Sequence, residues 1–299
     1  MLEKKNNSNK KGILRRVRKK RLRNITILPS LVTILNGISG FFAITFASRN
    51  EFGMACFMIF LAMIADMLDG RLARMSKSTS SFGGQLDSLC DIISFGVAPA
   101  FIMLKLLEAE LELSPGFFID SSFLQRFIWL ASAAYLSCSA IRLARFNVEN
   151  EKDESEHMSF IGLPTPAAAG VVVSLVIFYL EYNSSFPTLL KVLLYAMPCV
   201  VLGLSILMVS RLRYPHLTNQ YLRGKKPFGY LIKILLLLLL LCWKPEMTLV
   251  VVFCGFALSS VIKWIYYKSG ILQHLSILSH KTQKSRQQQN QLESHPELH

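Results

Sequence analysis

Asp66 and Asp69 stand three residues apart, and Asp87 and Asp91 four apart, in the stretch DMLDGRLARMSKSTSSFGGQLDSLCD that runs from 66 to 91. On helices, either spacing sets both carboxylates of a pair on one face. Apolar segments flank the stretch on both sides, which places the four acids at the edge of a membrane. A charged residue at mid-membrane costs roughly 2.5–3.5 kcal/mol on insertion scales. Four acids would cost on the order of 10 kcal/mol by that measure, an upper bound for groups near the interface. Divalent cations remove most of that cost, and hard oxygen ligands suit Mg²⁺ or Mn²⁺. Two such ions held by Asp66, Asp69, Asp87 and Asp91 suit displacement at phosphorus, because they clamp phosphate oxygens and neutralise charge on the attacking and leaving groups. A carboxylate within reach of an alcohol takes its proton as the new bond forms. Gly70, Ala73 and Gly83 leave the backbone open to close approach by a flat base or a phosphate.

Two other readings compete. The acids could pair with Arg71, Arg74 and Lys77 as ordinary interfacial charges, which explains one Asp–Arg pair better than the whole set of spacings. They could also mark the cation pathway of a metal-ion transporter. A transporter more naturally sets its acids near the midplane, at broken helices. These sit at one edge.

The segments that must position the acids read as an all-α polytopic membrane bundle. Of 299 residues, 52% are hydrophobic and 17% charged, and long uncharged runs recur, which excludes an ordinary soluble domain. Eight spans are expected: Ile25 to Ala47, Phe52 to Leu72, Leu86 to Leu106, Phe123 to Leu143, Leu163 to Glu181, Leu189 to Ser210, Tyr230 to Trp243 and Met247 to Tyr267. Most approach the roughly 20 residues needed to cross the hydrocarbon core. The seventh is short, with Lys233 and Lys244 placed to snorkel at its ends.

Basic residues set the orientation. The N-terminal arm carries eleven, from Lys4 to Arg23, and placing it in the cytoplasm brings Arg71/Arg74/Lys77, Arg142/Arg145 and Arg211/Arg213/Arg223/Lys225/Lys226 to the same side. The alternate loops hold few positives and several acids, among them Glu108, Glu110, Glu112 and Asp120. Ile13, Leu14, Val17 and Leu22 interleave the charges of the arm, so it reads as a helix lying on anionic membrane lipid rather than a nucleic-acid binder. Much of the net charge of +14 thus faces the inner leaflet. The six cysteines lie singly in or beside apolar spans and form no CxxC pair, so they indicate neither zinc nor a disulfide framework. The tail after His280 is rich in Gln, Asn and Ser and lacks apolar periodicity, the composition of a disordered segment.

With its intervals, the acidic stretch is D-x2-D-G-x2-A-R-x8-G-x3-D-x3-D, filled by Asp66, Asp69, Gly70, Ala73, Arg74, Gly83, Asp87 and Asp91 without a departure. It resembles the signature of the CDP-alcohol phosphatidyltransferases, integral membrane enzymes that transfer a phosphatidyl group from a CDP-linked lipid to an alcohol and release CMP. LPSLVTILNGISGFFAI (28–44), SFGVAPA (94–100), AIRLARFN (140–147) and FIGLPTPAAAG (160–170) are similar to the phosphatidylserine synthase branch of that family. The resemblance implies CDP-diacylglycerol and L-serine as substrates, with a sibling transferase for glycerol 3-phosphate, inositol phosphate or choline as the alternative. It implies that Asp66, Asp69 and Asp87 hold metal, that Asp91 is a shared ligand and the base, that Gly70, Ala73 and Gly83 line the cytidine site, and that Arg74 lies near the phosphates. It also implies a six-helix core, a homodimer, and an active site facing the cytoplasm of a bacterial-type inner membrane.

The expected organisation is then an amphipathic arm over 1–24, a catalytic core over 25–213, an additional helix pair over 214–268 and a polar tail over 269–299. Arg142 and Arg145 end the fourth span and could bind the serine carboxylate with paired hydrogen bonds, with Asn147 as a neutral partner. Topology alone also calls for arginines at a cytoplasmic helix end. Asn36 and the prolines Pro29, Pro164 and Pro166 are ambiguous, since prolines also serve simply to start or kink helices.

Overall fold

The structure, a computed structural model, describes residues 30–76, 81–113, 121–152, 160–214 and 228–266. The arm, the tail and Pro29 lie outside the described residues, as do the side chains of Ala73 and Arg74. Helix α1 (Ser30–Ser48) is followed by a tight turn in which Arg49 N–H donates to the Phe46 carbonyl and Asn50 N–H to that of Ala47, each at 3.0 Å. Asn50 takes φ 63° there, a left-handed conformation that Asn tolerates better than most residues. Helix α2 (Phe52–Ser76) carries the first acidic pair. The second pair lies on α3 (Ser81–Asp91), which continues through a π-helical segment (Ile92–Val97) into α4 (Ala98–Leu113). Next come α5 (Ser121–Lys152), β1 (Phe160–Ile161), α6 (Thr165–Tyr182), α7 (Pro187–Val209) and β2 (Arg213–Tyr214). The last two described helices are α8 (Phe228–Trp243) and α9 (Pro245–Tyr266).

Seven of the described helical runs are long and apolar enough to cross a membrane, the run from Phe82 to Leu111 through the π segment counting as one. The protein is an integral membrane protein. One expected span falls short: α8, over the expected Tyr230 to Trp243, is a helix of 16 residues. At 1.5 Å per residue it rises about 24 Å, less than the roughly 30 Å hydrocarbon core. Contacts divide the chain into Met1–Ala257 and Leu258–His299.

Outward faces are apolar: Phe41, Phe57, Leu130 and Ile206 are each more than half exposed, a surface suited to lipid. The buried centre is built largely around α6, where Ala168 to Val176 are buried without interruption. In lipid, helices gain by close packing rather than by hiding apolar surface, so small residues mark their contacts. A Cβ on Gly37 would stand 2.9 Å from Cys90 Sγ, and one on Gly40 would collide with Ser94. Helix α1 thus lies directly against the segment that carries Asp91. On the far side of the same segment, a Cβ on Gly96 would come 2.5 Å from Ser139 Oγ of α5.

A two-stranded clasp joins the entry of α6 to the exit of α7. Phe160 pairs with Tyr214 and Ile161 with Arg213, antiparallel. Gly162 N–H then donates to the Leu212 carbonyl at 2.8 Å, and Leu163 N–H to that of Leu207 at 3.0 Å. Gly162 has φ +85°, and a Cβ there would meet the Met208 carbonyl oxygen, so both backbone and space require glycine. Pro164 caps α6 and Pro166 lies in its first turn, which resolves their ambiguity: both start a helix.

Candidate metal and substrate site

Asp66 and Asp69 project from α2, and Asp87 from α3, so that one carboxylate oxygen of each lies within 4.8 Å of the others. The i, i+3 spacing does what the sequence requires of it, and the facing helix supplies the third ligand. Asp69 is only 4% exposed and accepts from the Thr33 side chain of α1. Its Oδ2, and Oδ1 of Asp87, are buried with no hydrogen-bond donor among the described residues. Bare buried carboxylate oxygens are expensive, and these two, with the neighbouring Asp66 carboxylate, form the oxygen-only donor set that a hard divalent cation takes. The residues present fit a metal.

Asp91 stands one helical turn beyond Asp87 and is 7% exposed. It falls outside the group of three. Instead its Oδ1 accepts a 2.9 Å hydrogen bond from Asn36 Nδ2 of α1. It nevertheless feels the charges of Asp66, Asp87 and Asp69. The π-helical segment begins at the next residue, and the Ala98 N–H reaches back to the Ile93 carbonyl. Its neighbours use the carbonyls and hydroxyls of this segment: Tyr135 donates to the Phe95 carbonyl at 3.1 Å, and Ser94 Oγ to the Asn36 carbonyl at 2.8 Å. Such wide turns are often found at functional sites.

The model of the CDP-alcohol phosphatidyltransferase family matches residues 26–203, which include every one of these groups. This chain belongs to that family. Curated relatives include the CDP-diacylglycerol–serine O-phosphatidyltransferase of Helicobacter pylori, 34% identical over 240 residues, covering 80% of this chain and 92% of that protein. The enzyme of the same description from Methanocaldococcus jannaschii is 33% identical over 199 residues, 67% of this chain and 79% of the relative. The archaetidylserine synthase of Methanothermobacter thermautotrophicus is 30% identical over 205 residues, 67% of this chain and 75% of the relative. Phosphatidyltransferases of this family depend on divalent metal, in accord with the carboxylate group.

The remaining family-signature positions surround the acids unequally. Gly70 is half-buried, and a Cβ added to it would meet nothing within 4 Å, so the backbone there faces open space. Gly83 is also half-buried, in the first turn of α3. Ala73 and Arg74 continue α2.

Of the two arginines, Arg142 is the one drawn inward. It is 8% exposed, lies in the electrostatic reach of Asp91 and Asp66, and donates from Nη1 to Thr165 Oγ1 at 3.0 Å. Its Nε is buried without an acceptor among the described residues. Orientation rules explain an arginine in the last part of a span but not its burial within electrostatic reach of two carboxylates. Arg145 stays half-buried. Asn147 donates from Nδ2 to Ser88 Oγ at 2.9 Å, which ties α5 to α3 beside Asp87.

Sequence reasoning left Asn36 ambiguous and missed Thr165 and Ser88. A polar amide inside an apolar span was the available signal for Asn36. Thr165, framed by two prolines at a helix start, gave none.

Proposed function

We propose that this phosphatidyltransferase moves the phosphatidyl group of CDP-diacylglycerol onto the hydroxyl of L-serine, giving phosphatidylserine and CMP. The observation that carries the reaction class is the convergence of Asp66, Asp69 and Asp87, with bare buried oxygens on Asp69 and Asp87. Serine as the acceptor rests on the relatives described as serine O-phosphatidyltransferases. Two Mg²⁺ or Mn²⁺ ions, held by those three residues with Asp91 as a shared ligand, would neutralise the diphosphate.

Asp91 takes the proton of the serine hydroxyl. The hydroxyl oxygen bonds to the phosphorus that bears diacylglycerol, the bond from that phosphorus to the CMP oxygen breaks, and CMP departs with the electron pair. Gly70, Ala73 and Gly83 line the cytidine, and Arg74 lies near the phosphates. Arg142 binds the serine carboxylate, with Arg145 as a second donor to it. Asn147 holds the α3–α5 wall through Ser88. The core spans 25–213 and works as a homodimer, with the basic arm on anionic lipid and the site open to the cytoplasm of a bacterial-type inner membrane.

An acceptor panel tests the reading. Purified protein with Mn²⁺ or Mg²⁺ and CDP-diacylglycerol should release CMP with serine and form phosphatidylserine. CMP release with glycerol 3-phosphate, inositol phosphate or choline, but not with serine, would reassign the acceptor. Metal-dependent ion flux into liposomes without CMP would overturn the enzyme reading.

A further inference from the structure

Asn36 joins the site from a helix that carries none of its acids. Its side chain is fully buried, at 0% exposure, inside an apolar span. An ionised carboxylate offers only acceptors, so the amide must turn its Nδ2 to Asp91, as the 2.9 Å bond records. That choice leaves Oδ1 pointing elsewhere, and this oxygen is buried with no donor among the described residues. Both amide atoms share one carbon, so any group that donates to Oδ1 stands beside Asp91. The orientation is braced from behind. Ser94 Oγ donates to the backbone carbonyl of Asn36, and Gly37 and Gly40 bring α1 into contact with Cys90 and Ser94. The amide is therefore clamped between the proposed base and a position that calls for a donor.

We propose that Asn36 is a positioning residue that holds Asp91 through Nδ2 and receives the ammonium group of the amino-alcohol acceptor on Oδ1. This inference rests on the serine reading above. A serine bound with its carboxylate toward Arg142 and its hydroxyl toward Asp91 has its ammonium group left to satisfy. The neutral amide oxygen accepts from it without adding another negative charge to a site already crowded with carboxylates. The acceptor would thus be read at three points: carboxylate, hydroxyl and ammonium.

The test compares serine with 3-hydroxypropionate, which is serine without its ammonium group, in CMP-release assays on the unaltered protein and on Asn36→Ala and Asn36→Ser. Binding of CDP-diacylglycerol to each purified protein is measured alongside. Serine-dependent CMP release by the unaltered protein supports the underlying reading, and its absence overturns that reading and this inference together. In the variants, CDP-diacylglycerol should bind within about twofold of the unaltered protein, while KM for serine rises and kcat falls, each by about tenfold. The preference in kcat/KM for serine over 3-hydroxypropionate should shrink by about tenfold, a change that a merely structural asparagine would not produce. An undiminished preference overturns the ammonium contact even if kcat falls. Loss of CDP-diacylglycerol binding in both variants assigns Asn36 to the framework and also overturns the proposal.

Discussion

The three converging carboxylates and the neighbouring Asp91 differ in what surrounds them, although all four belong to one sequence signature. Asp66, Asp69 and Asp87 bring oxygens together, and those of Asp69 and Asp87 include buried atoms that no donor reaches among the described residues. Asp91, one turn further on, is held by an amide from α1 and lies within reach of the buried Arg142 guanidinium. The first arrangement is poor for anything but a cation. The second is furnished with the neutral and positive groups that an organic acceptor can share. Adjacent acids on one helix can therefore carry different tasks, and the helices facing them decide which.

Substitutions should separate the two regions, and the largest effect belongs to the carboxylate group. Asp69→Asn keeps shape but replaces a charged ligand with a neutral amide, so turnover should fall below detection in a CMP-release assay. Measurable turnover at a normal Mn²⁺ requirement would break the assignment of Asp69. Asp91→Asn should lower kcat by about 10²- to 10⁴-fold, the range for loss of a general base, while CDP-diacylglycerol still binds. A variant that turns over normally would remove Asp91 from the proposed chemistry.

Smaller effects sharpen the acceptor side. Arg142→Lys retains charge but loses the planar fork, and KM for serine should rise by about 10- to 100-fold with KM for CDP-diacylglycerol little changed. Equal effects on both KM values would place Arg142 with the diphosphate instead. Thr165→Val removes the hydroxyl that receives Arg142 Nη1. The loss of one such bond should raise KM for serine by about 2- to 10-fold, measured in the same assay.

Much of the carboxylate group was legible in the sequence, because its information is local. Spacings of three and four residues fix a helical face, and the polar stretch between two apolar runs fixes a hairpin that brings those faces together. The corner around Asp91 was less legible. Asn36 and Asp91 are 55 residues apart in sequence, and nothing in either segment alone specifies their contact. The π-helical segment after Asp91 was also invisible, since Ile92–Val97 is an apolar run that reads as ordinary helix. Arg142 was identified, but a charge count places it at a membrane face, whereas the fold buries it and turns its Nη1 to Thr165 of α6. The short α8 shows the converse. Its span was expected to be short and to end at Trp243, and the helix does end there, just before Pro245.

Mn²⁺ binding to purified Asp69→Asn and Asp91→Asn, titrated side by side with the unaltered protein, tests the division of labour among these acids most directly. Asp69→Asn should lose tight Mn²⁺ binding, whereas Asp91→Asn should retain at least one tightly bound ion and CDP-diacylglycerol affinity while kcat falls by about 10²- to 10⁴-fold. Equal loss of Mn²⁺ from both variants would contradict that division of labour.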